Sequence, residues 1–160
     1  MFGSNDKLVH EGWLDNLIRN NESAPEIGVG GPRSNNISGP QAASGEYGTQ
    51  EIFQSFAADW SKKHQGESFT VERMVGMLFL TRKDILERIG AFDPELPTNG
   101  KNGGYGFSDD DLSLRLRVAG YKLLVANDVF IHHFGSVTVR QHRPDPVSYT
   151  HLRAHETPEQ

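Results

Sequence analysis

Residues 107–133 read FSDDDLSLRLRVAGYKLLVANDVFIHH, and this stretch decides the class of fold. It predicts a helix that Gly120 stops, because glycine readily ends a helix. An apolar strand at Leu123–Ala126 follows, and then a second strand at Val129–His132. Helices that alternate with buried strands are typical of layered α/β domains. We therefore predict an α/β fold.

Segments upstream of this stretch also have apolar residues at helical spacing, so helices and strands alternate there too. The segment EGWLDNLIRNN predicts a short amphipathic helix with apolar residues at Trp13, Leu14, Leu17 and Ile18. The strongest helical period follows Thr49, which we predict as an N-cap, and closes at Gly66. Its apolar members are Ile52, Phe53, Phe56, Ala57 and Trp60. Residues 83–89 predict a further helix that Gly90 ends.

Shorter apolar runs predict strands between these helices. One strand ends at Phe2, and another covers Ile27–Gly30 before a turn-rich loop. The run Val75–Leu80 fits a buried strand or part of a buried helix, because periodicity cannot separate the two in so short a run. Residues 95–107 predict a long loop that is rich in glycine.

The composition excludes several classes of function. The chain has 160 residues, a formal net charge of −5 and no cysteine. A negative chain lacks the basic surface that nucleic acids require, and a chain without cysteine has neither disulfides nor thiolate metal sites. No apolar run reaches the roughly 18 residues of a membrane span. The start, MFGSNDKLVH, lacks the pattern of a signal peptide, so we expect a cytoplasmic protein with no nucleic-acid partner.

Three adjacent aspartates at the predicted start of a helix have two interpretations. Ser108 and Asp111 have the spacing of a capping box, and Asp109 and Asp110 lie where the helix dipole favours negative charge. This interpretation needs no function. The glycine-rich loop before them, however, would let the backbone approach a ligand, and a carboxylate beside it could take a proton from a hydroxyl nucleophile. The residues alone leave both interpretations open.

Other candidate ligands are spread along the chain. His132 and His133 end a predicted strand and point to opposite faces, so at most one of them faces a given site. A neutral imidazole can bind Mn²⁺ beside carboxylates, although a structural hydrogen bond is its more common role. Asp6 follows a strand end, where a carboxylate either holds a divalent cation or forms a turn. The loop GPRSNNISGPQ, residues 31–41, suits sugar hydroxyls and an ordinary turn equally.

Taken in order, four segments resemble the second half of a family-2 glycosyltransferase with the GT-A fold. They are SND…GWL, VGGPRSNNISGPQ, VGMLFLTRKDILERIGAFDP and GFSDDDLSLRLRVAGYKLLVANDVFIHHFGS. The resemblance runs from about Phe2 to about Thr138. It implies inverting transfer of a sugar from a nucleotide-sugar donor to a hydroxyl of a glycan, a lipid-linked sugar or a protein. It also implies a place in bacterial surface-glycan synthesis, in the cytoplasm or at the inner face of the membrane.

The resemblance implies roles for individual residues. Asp109 falls at the position of the catalytic base, and Asp6 and His133 fall at those of the ligands to Mn²⁺ or Mg²⁺. The chain departs from the family at Ser4, where aspartate or asparagine is common, and at Ser108, where glutamate is common. Further substrate contacts are expected at Asn36, Ser38, Gln41, Gly104, Tyr105, Asp110 and Asp111.

The resemblance also implies that the domain is partial. In this family a nucleotide-binding βαβ part precedes the metal motif, so about a hundred residues are expected upstream. We therefore expect residues 1–143 to be the C-terminal portion of a GT-A domain, inactive alone. We expect residues 144–160 to be a disordered tail, because VSYTHLRAHET, residues 147–157, resembles a translated sequencing adapter.

Three alternatives stay open at this point. A non-catalytic carbohydrate-binding module would take up sugar without metal or nucleotide. A pyrophosphorylase would handle the same donor with other chemistry. A calcium loop at DPELPTNGKNGG lacks the acidic residue that such loops use at their twelfth position.

Overall fold

The computed structural model describes residues 1–93 and 107–135. The predicted contacts Gly104 and Tyr105 and the predicted tail 144–160 lie outside the described residues. Within these residues, helices and strands alternate, so the fold is mixed α/β, as predicted. The helices are α1 (Trp13–Asn21), α2 (Gln50–Lys63), α3 (Lys83–Ile89) and α4 (Phe107–Val118). The strands are β1 (Phe2–Gly3), β2 (Lys7–Leu8), β3 (Ile27–Ser34), β4 (Ser68–Val71), β5 (Leu78–Phe79) and β6 (Lys122–His133).

Strand β6 is the centre of the sheet. Parallel β3 pairs with it along one side, while antiparallel β4 and β2 pair with its first half and its end on the other. A backbone bridge between Gly30 and Leu80 joins β3 to the antiparallel pair β1–β5. Because Ser34 pairs with Ile131, the carboxyl ends of β3 and β6 lie at the same edge of the sheet. That edge is where open α/β sheets usually bind ligands.

The helices bury β6 with apolar side chains. Each fully buried leucine or phenylalanine contributes roughly 1.5–3 kcal/mol relative to an exposed one, so these contacts dominate the stability. Buried apolar clusters join the helices to β6. Leu17 of α1 shares one cluster with Ile131, and Phe53 and Ala57 of α2 share another with Phe130. Leu112 and Leu116 of α4 share a third with Leu123 and Val125.

Helix ends follow the sequence predictions closely. Thr49 is the N-cap of α2, and its hydroxyl accepts a hydrogen bond from the Ile52 backbone N–H at 3.4 Å. Gly120 follows α4 with a φ of 88°, a left-handed conformation that side chains other than glycine rarely adopt. Local chemistry therefore fixes where these helices begin and end.

Strand boundaries differ from the predictions at both long strands. The predicted strands at 123–126 and 129–132 are one strand, β6, in which the pairing shifts at Asn127–Val129. The predicted strand Ile27–Gly30 continues to Ser34, because Pro32 lies at this shift and no ladder donor is needed there. Strands β2 and β4 were not predicted, since β2 has two residues and the alternation of β4 covers only four. The ambiguous run Val75–Leu80 is extended at β5, not helical.

Asp128 explains why β6 bulges. Its side chain is fully buried, and its carboxylate accepts hydrogen bonds from Arg19 at 2.9 Å, Asn20 at 2.8 Å and the Gly66 backbone at 3.0 Å. These bonds join α1 and the turn after α2 to the central strand. A buried charge is tolerated where paired and hydrogen-bonded groups surround it.

Candidate functional site at the strand ends

Asp6 and His133 meet at the carboxyl edge of the sheet. The pairing of Lys7 with His133 brings the start of β2 to the end of β6. The His133 Nε2 atom then lies 3.3 Å from Asp6 Oδ1, and the two side chains are only 16% and 12% exposed. Residues that are far apart in the sequence thus form a close, largely buried pair, as the predicted metal site requires.

The hydrogen bond on the other side of the ring fixes what Nε2 presents to Asp6. His133 Nδ1 lies 2.7 Å from the backbone carbonyl of Asn36, which can only accept, so Nδ1 carries a proton. A neutral ring therefore turns the Nε2 lone pair toward a carboxylate. A cation shared by the two groups, either a proton on Nε2 or a metal ion, removes that repulsion.

The donor set fits a divalent cation. An imidazole nitrogen and a carboxylate oxygen suit Mn²⁺, and metal-binding histidines usually donate their other ring N–H to a carbonyl or carboxylate. Two neighbouring ligands of an octahedral ion stand about 3 Å apart, close to the separation found here. Across residues 1–93 and 107–135, no group of three histidine or acidic side chains is placed to hold a metal. Asp6 and His133 would leave the other positions to a ligand or to water.

Neighbouring residues hold this pair in position. The Asn35 side chain accepts a hydrogen bond from the His133 backbone N–H at 2.8 Å. The Lys7 ammonium donates to the backbone carbonyls of Ser4 and, at 3.2 Å, of Met77. Burial lowers the pKa of Lys7, and the Asp6 charge partly opposes this shift. Asn35 belongs to the polar loop 31–41, which the sequence assigns either to sugar hydroxyls or to a turn, and here it holds the His133 backbone. Lys7 was missed, since it does not stand out from its turn.

Asp109 lies in the first turn of α4 and is buried, with 7% of its surface exposed. Its Oδ2 atom accepts a hydrogen bond from the Gly76 backbone N–H at 2.9 Å. A Cβ at position 76 would lie 3.2 Å from the Asp109 Cβ, so glycine permits this close approach. The carboxylate is thus held by the backbone in a fixed orientation.

The segment Val75–Met77 contacts both Asp109 and the residues on either side of Asp6. Gly76 binds Asp109, while the Met77 carbonyl accepts from the Ser4 backbone N–H at 3.1 Å and from Lys7. The predicted base and the two residues Ser4 and Lys7, which lie close to Asp6 in the sequence, therefore contact one short stretch of backbone. In the sequence, Asp109 is 103 positions from Asp6.

The other two aspartates of the run have partners of their own. Asp110 forms an ion pair with Arg73, whose Nη2 atom also lies 3.9 Å from Asp109 Oδ2. Asp111 binds Arg115 at 2.6 Å, and Arg115 donates to three backbone carbonyls at 89–91. Asp111 therefore anchors the turn after α3 to α4, and its predicted contact with substrate stays a prediction. Arg73 had no signal in the sequence.

Gln41 has a structural role that differs from the predicted sugar contact. It is 1% exposed, its amide donates to the Pro32 carbonyl at 3.2 Å, and its oxygen accepts from the Val75 backbone at 2.7 Å. The side chain thus bridges β3 and the segment that binds Asp109. Asn36 and Ser38 are exposed near this edge, in the loop after β3, where contact with a ligand is sterically open.

His132 faces away from His133, as the alternation of a strand predicts. Its Nδ1 atom lies 2.8 Å from the Tyr47 hydroxyl, in a cavity of about 330 Å³. Burial lowers the pKa of His132, and burial raises the pKa of Tyr47 to about 12. Tyr47 therefore donates to a neutral His132. The remaining lining is Leu8, Gly48, Thr49, Gln50, Phe53 and Phe134.

None of the helices within 1–93 and 107–135 is long and apolar enough to cross a membrane. Comparison of the chain with protein-family models, with curated proteins and with solved structures finds no match. The family assignment therefore stays a prediction.

Proposed function

We propose that this chain is part of a metal-dependent, inverting glycosyltransferase of family 2 with the GT-A fold. The Asp6–His133 pair carries the proposal, because the carbonyl bond to Nδ1 leaves Nε2 facing a carboxylate at 3.3 Å. The position of the pair at the carboxyl ends of β3 and β6 supports a ligand site. The donor would be a nucleotide-sugar, and the acceptor a hydroxyl of a glycan, a lipid-linked sugar or a protein.

Asp6 and His133 would hold Mn²⁺ or Mg²⁺. When bound, the ion would offset the negative charge that builds on the leaving nucleoside diphosphate. Asn35 and the Asn36 carbonyl support this role, because they fix the backbone and the ring of His133. Such outer partners commonly tune metal affinity by about 10- to 100-fold.

Asp109 would accept the proton of the acceptor hydroxyl as that oxygen attacks the anomeric carbon. The Gly76 N–H holds Oδ2, and the Asp110 N–H lies 3.2 Å from Oδ1, so the carboxylate cannot rotate freely. General-base catalysis of this kind contributes roughly 10²- to 10⁴-fold to the rate. Asp109 can belong to the first turn of α4 and also act as the base, because the start of the helix fixes the direction in which its carboxylate points.

Titration of Mn²⁺ into the purified chain, followed by the loss of the free Mn²⁺ resonance signal, tests the proposal. Asp6→Asn and His133→Gln should each weaken Mn²⁺ binding by about tenfold or more. Glu67→Gln is the matched control, since Glu67 pairs with His64 at 2.7 Å on the surface.

Two results would count against the proposal. One is Mn²⁺ binding that Asp6→Asn and Glu67→Gln weaken equally. The other is tight binding of free saccharides with no response to Mn²⁺ or nucleotide, which would favour the non-catalytic carbohydrate-binding module.

A further inference from the structure

Aromatic rings form much of the wall of the cavity beside His132. Tyr47, His132 and Phe134 line it, together with the fully buried Phe53. The centres of the Tyr47 and Phe53 rings are 5.1 Å apart, and those of the His132 and Phe134 rings are 4.4 Å apart, both pairs edge to face. Contacts of this kind favour defined ring orientations. The wall is therefore arranged before any ligand enters.

The cavity is large enough for one ring with a substituent. Its volume is about 330 Å³. An apolar cavity of about 150 Å³ is sufficient for benzene. Phe134 lines the cavity and is 52% exposed, so much of an apolar ring stays in contact with water. A ligand that covered this ring would remove apolar surface from water, which is favourable.

The polar groups of the cavity favour an uncharged ligand with an acceptor. Tyr47 donates to Nδ1 of the neutral His132, so the ring proton is on Nε2. In the part of the chain that the structure describes, Nε2 has no hydrogen-bond partner, and it is not one of the buried polar atoms that lack one. It is therefore an accessible N–H donor on a side chain that lines the cavity.

The same lining offers nothing to balance a charge. Among the described residues around the cavity there is no aspartate, glutamate, lysine or arginine. A charged ligand would lose water there without gaining an opposite charge, which is costly. An N–H donor also disfavours a cation, although aromatic faces alone attract one.

We infer that this cavity binds an uncharged aromatic ring that carries an oxygen acceptor. The ring would pack against Tyr47 and Phe134, and the acceptor would take the Nε2–H of His132. His132 and His133 face opposite ways, so this site is separate from the candidate metal site. The inference needs neither the metal nor sugar transfer, so it stands or falls independently of the proposed function.

Titration of benzamide into the full chain, with EDTA present to remove metals, tests the inference. The nuclear magnetic resonance signals of the Tyr47 ring report binding. Benzamide should bind about threefold or more tightly than cyclohexanecarboxamide, because the two share an amide and differ in whether the ring is aromatic. Tetramethylammonium, a cation that aromatic cages bind in other proteins, should bind more weakly than benzamide.

Two variants divide the binding into its parts. Phe134→Ala should weaken benzamide by about two- to tenfold through loss of the ring contact, and the exposure of Phe134 spares the core. His132→Phe keeps a ring but removes the N–H, and should also weaken benzamide by about two- to tenfold. Leu114→Ala is the control, because Leu114 is an exposed apolar side chain of α4 that does not line the cavity.

Four results would overturn the inference. They are no binding of benzamide, equal binding of the two amides, tighter binding of tetramethylammonium than of benzamide, and equal affinity of Phe134→Ala and Leu114→Ala for benzamide. An unchanged affinity in His132→Phe would show that Nε2 is not the donor. Since EDTA is present throughout, none of these results bears on the Mn²⁺ site.

Discussion

Two carboxylates beside strand β6 have opposite environments. Asp128, in the bulge, is fully buried and accepts from Arg19, Asn20 and the Gly66 backbone. Asp6, at the strand end, faces the Nε2 atom of His133, whose other ring nitrogen bonds the Asn36 carbonyl. Asp128 is surrounded by donors and holds elements together. At Asp6 the neighbouring group is the ring of His133, and the proposed metal site depends on a cation shared by these two side chains.

The aspartates of α4 show the same contrast, because Asp111 binds Arg115 as Asp128 binds Arg19, whereas Asp109 is the proposed base. Asp109→Asn should therefore give the largest effect, a loss of activity. The asparagine oxygen can still accept from Gly76, so stability should stay within about 1 kcal/mol, but an amide cannot take a proton. Under the proposed function, the rate of sugar transfer should fall by roughly 10²- to 10⁴-fold. A rate assay with urea unfolding as its companion measures both. Full activity in Asp109→Asn with loss in Asp111→Asn would move the base to Asp111.

Asp128→Ala should give the largest loss of stability. Removal of the carboxylate leaves the Asn20 amide and the Gly66 N–H without their acceptor, at a cost of about 1–3 kcal/mol for each in the free energy of unfolding. Arg19 adds little, because its side chain is half exposed and water can replace the lost bond. The control is Asp59→Ala, because Asp59 is exposed and lies 3.9 Å from Lys62. Urea unfolding curves of both variants make the measurement. Equal stabilities would show that the bulge does not depend on Asp128.

Arg115→Met should have a smaller effect. This change releases Asp111 and the carbonyls of Ile89, Gly90 and Ala91, all within 3.0 Å of Arg115. Since Arg115 is partly exposed and water replaces some of these bonds, we expect a loss of about 1–3 kcal/mol. Mn²⁺ binding should be unchanged, which separates this structural carboxylate partner from the metal pair. Loss of Mn²⁺ affinity together with unchanged stability would reverse that assignment.

The smallest effect should be a dependence of stability on pH. Burial lowers the pKa of His10 and of His132 from the ordinary value of 6.5, so the unfolded chain binds more protons than the folded chain just below that value. The free energy of unfolding should therefore fall as the pH drops from 6.5 through the lower folded pKa values. Glu26, Glu51 and Glu67 are exposed carboxyl groups with pKa values lowered from 4.5. They change the stability only below that pH, outside the range in which the two histidines act.

Urea midpoints on either side of pH 6.5 measure this slope. A variant that carries both His10→Gln and His132→Gln should flatten it, since glutamine does not titrate. His64→Gln is the control, because it also removes a histidine, but one that pairs with Glu67. An unchanged slope in the double variant would assign the pH dependence to other groups.

The sequence predicts the helices better than the strands for a physical reason. Helix ends depend on local chemistry such as the Thr49 cap and Gly120, which is visible in a few consecutive letters. The continuity of β6 depends on Asp128 finding partners on α1 and near Gly66, which no local pattern records. Polar Asn127 and Asp128 therefore suggested a break where the strand only bulges.

The candidate site shows the same limit. The opposite orientations of His132 and His133 follow from strand alternation, and the structure confirms them. The meeting of Asp6 with His133 depends on the pairing of β2 with β6, which the letters did not predict. Gln41 looked suited to sugar because its chemistry is right, but burial directs its amide to the backbone.

The central claim is that Asp6 and His133 share a metal ion. Pulsed electron paramagnetic resonance of the Mn²⁺-loaded chain tests it directly, because a coordinated imidazole nitrogen couples to the electron spin. The account predicts nitrogen coupling in the unchanged chain and in His132→Gln, and its loss in His133→Gln. Coupling that persists in His133→Gln, or that is absent from the unchanged chain, would contradict the claim.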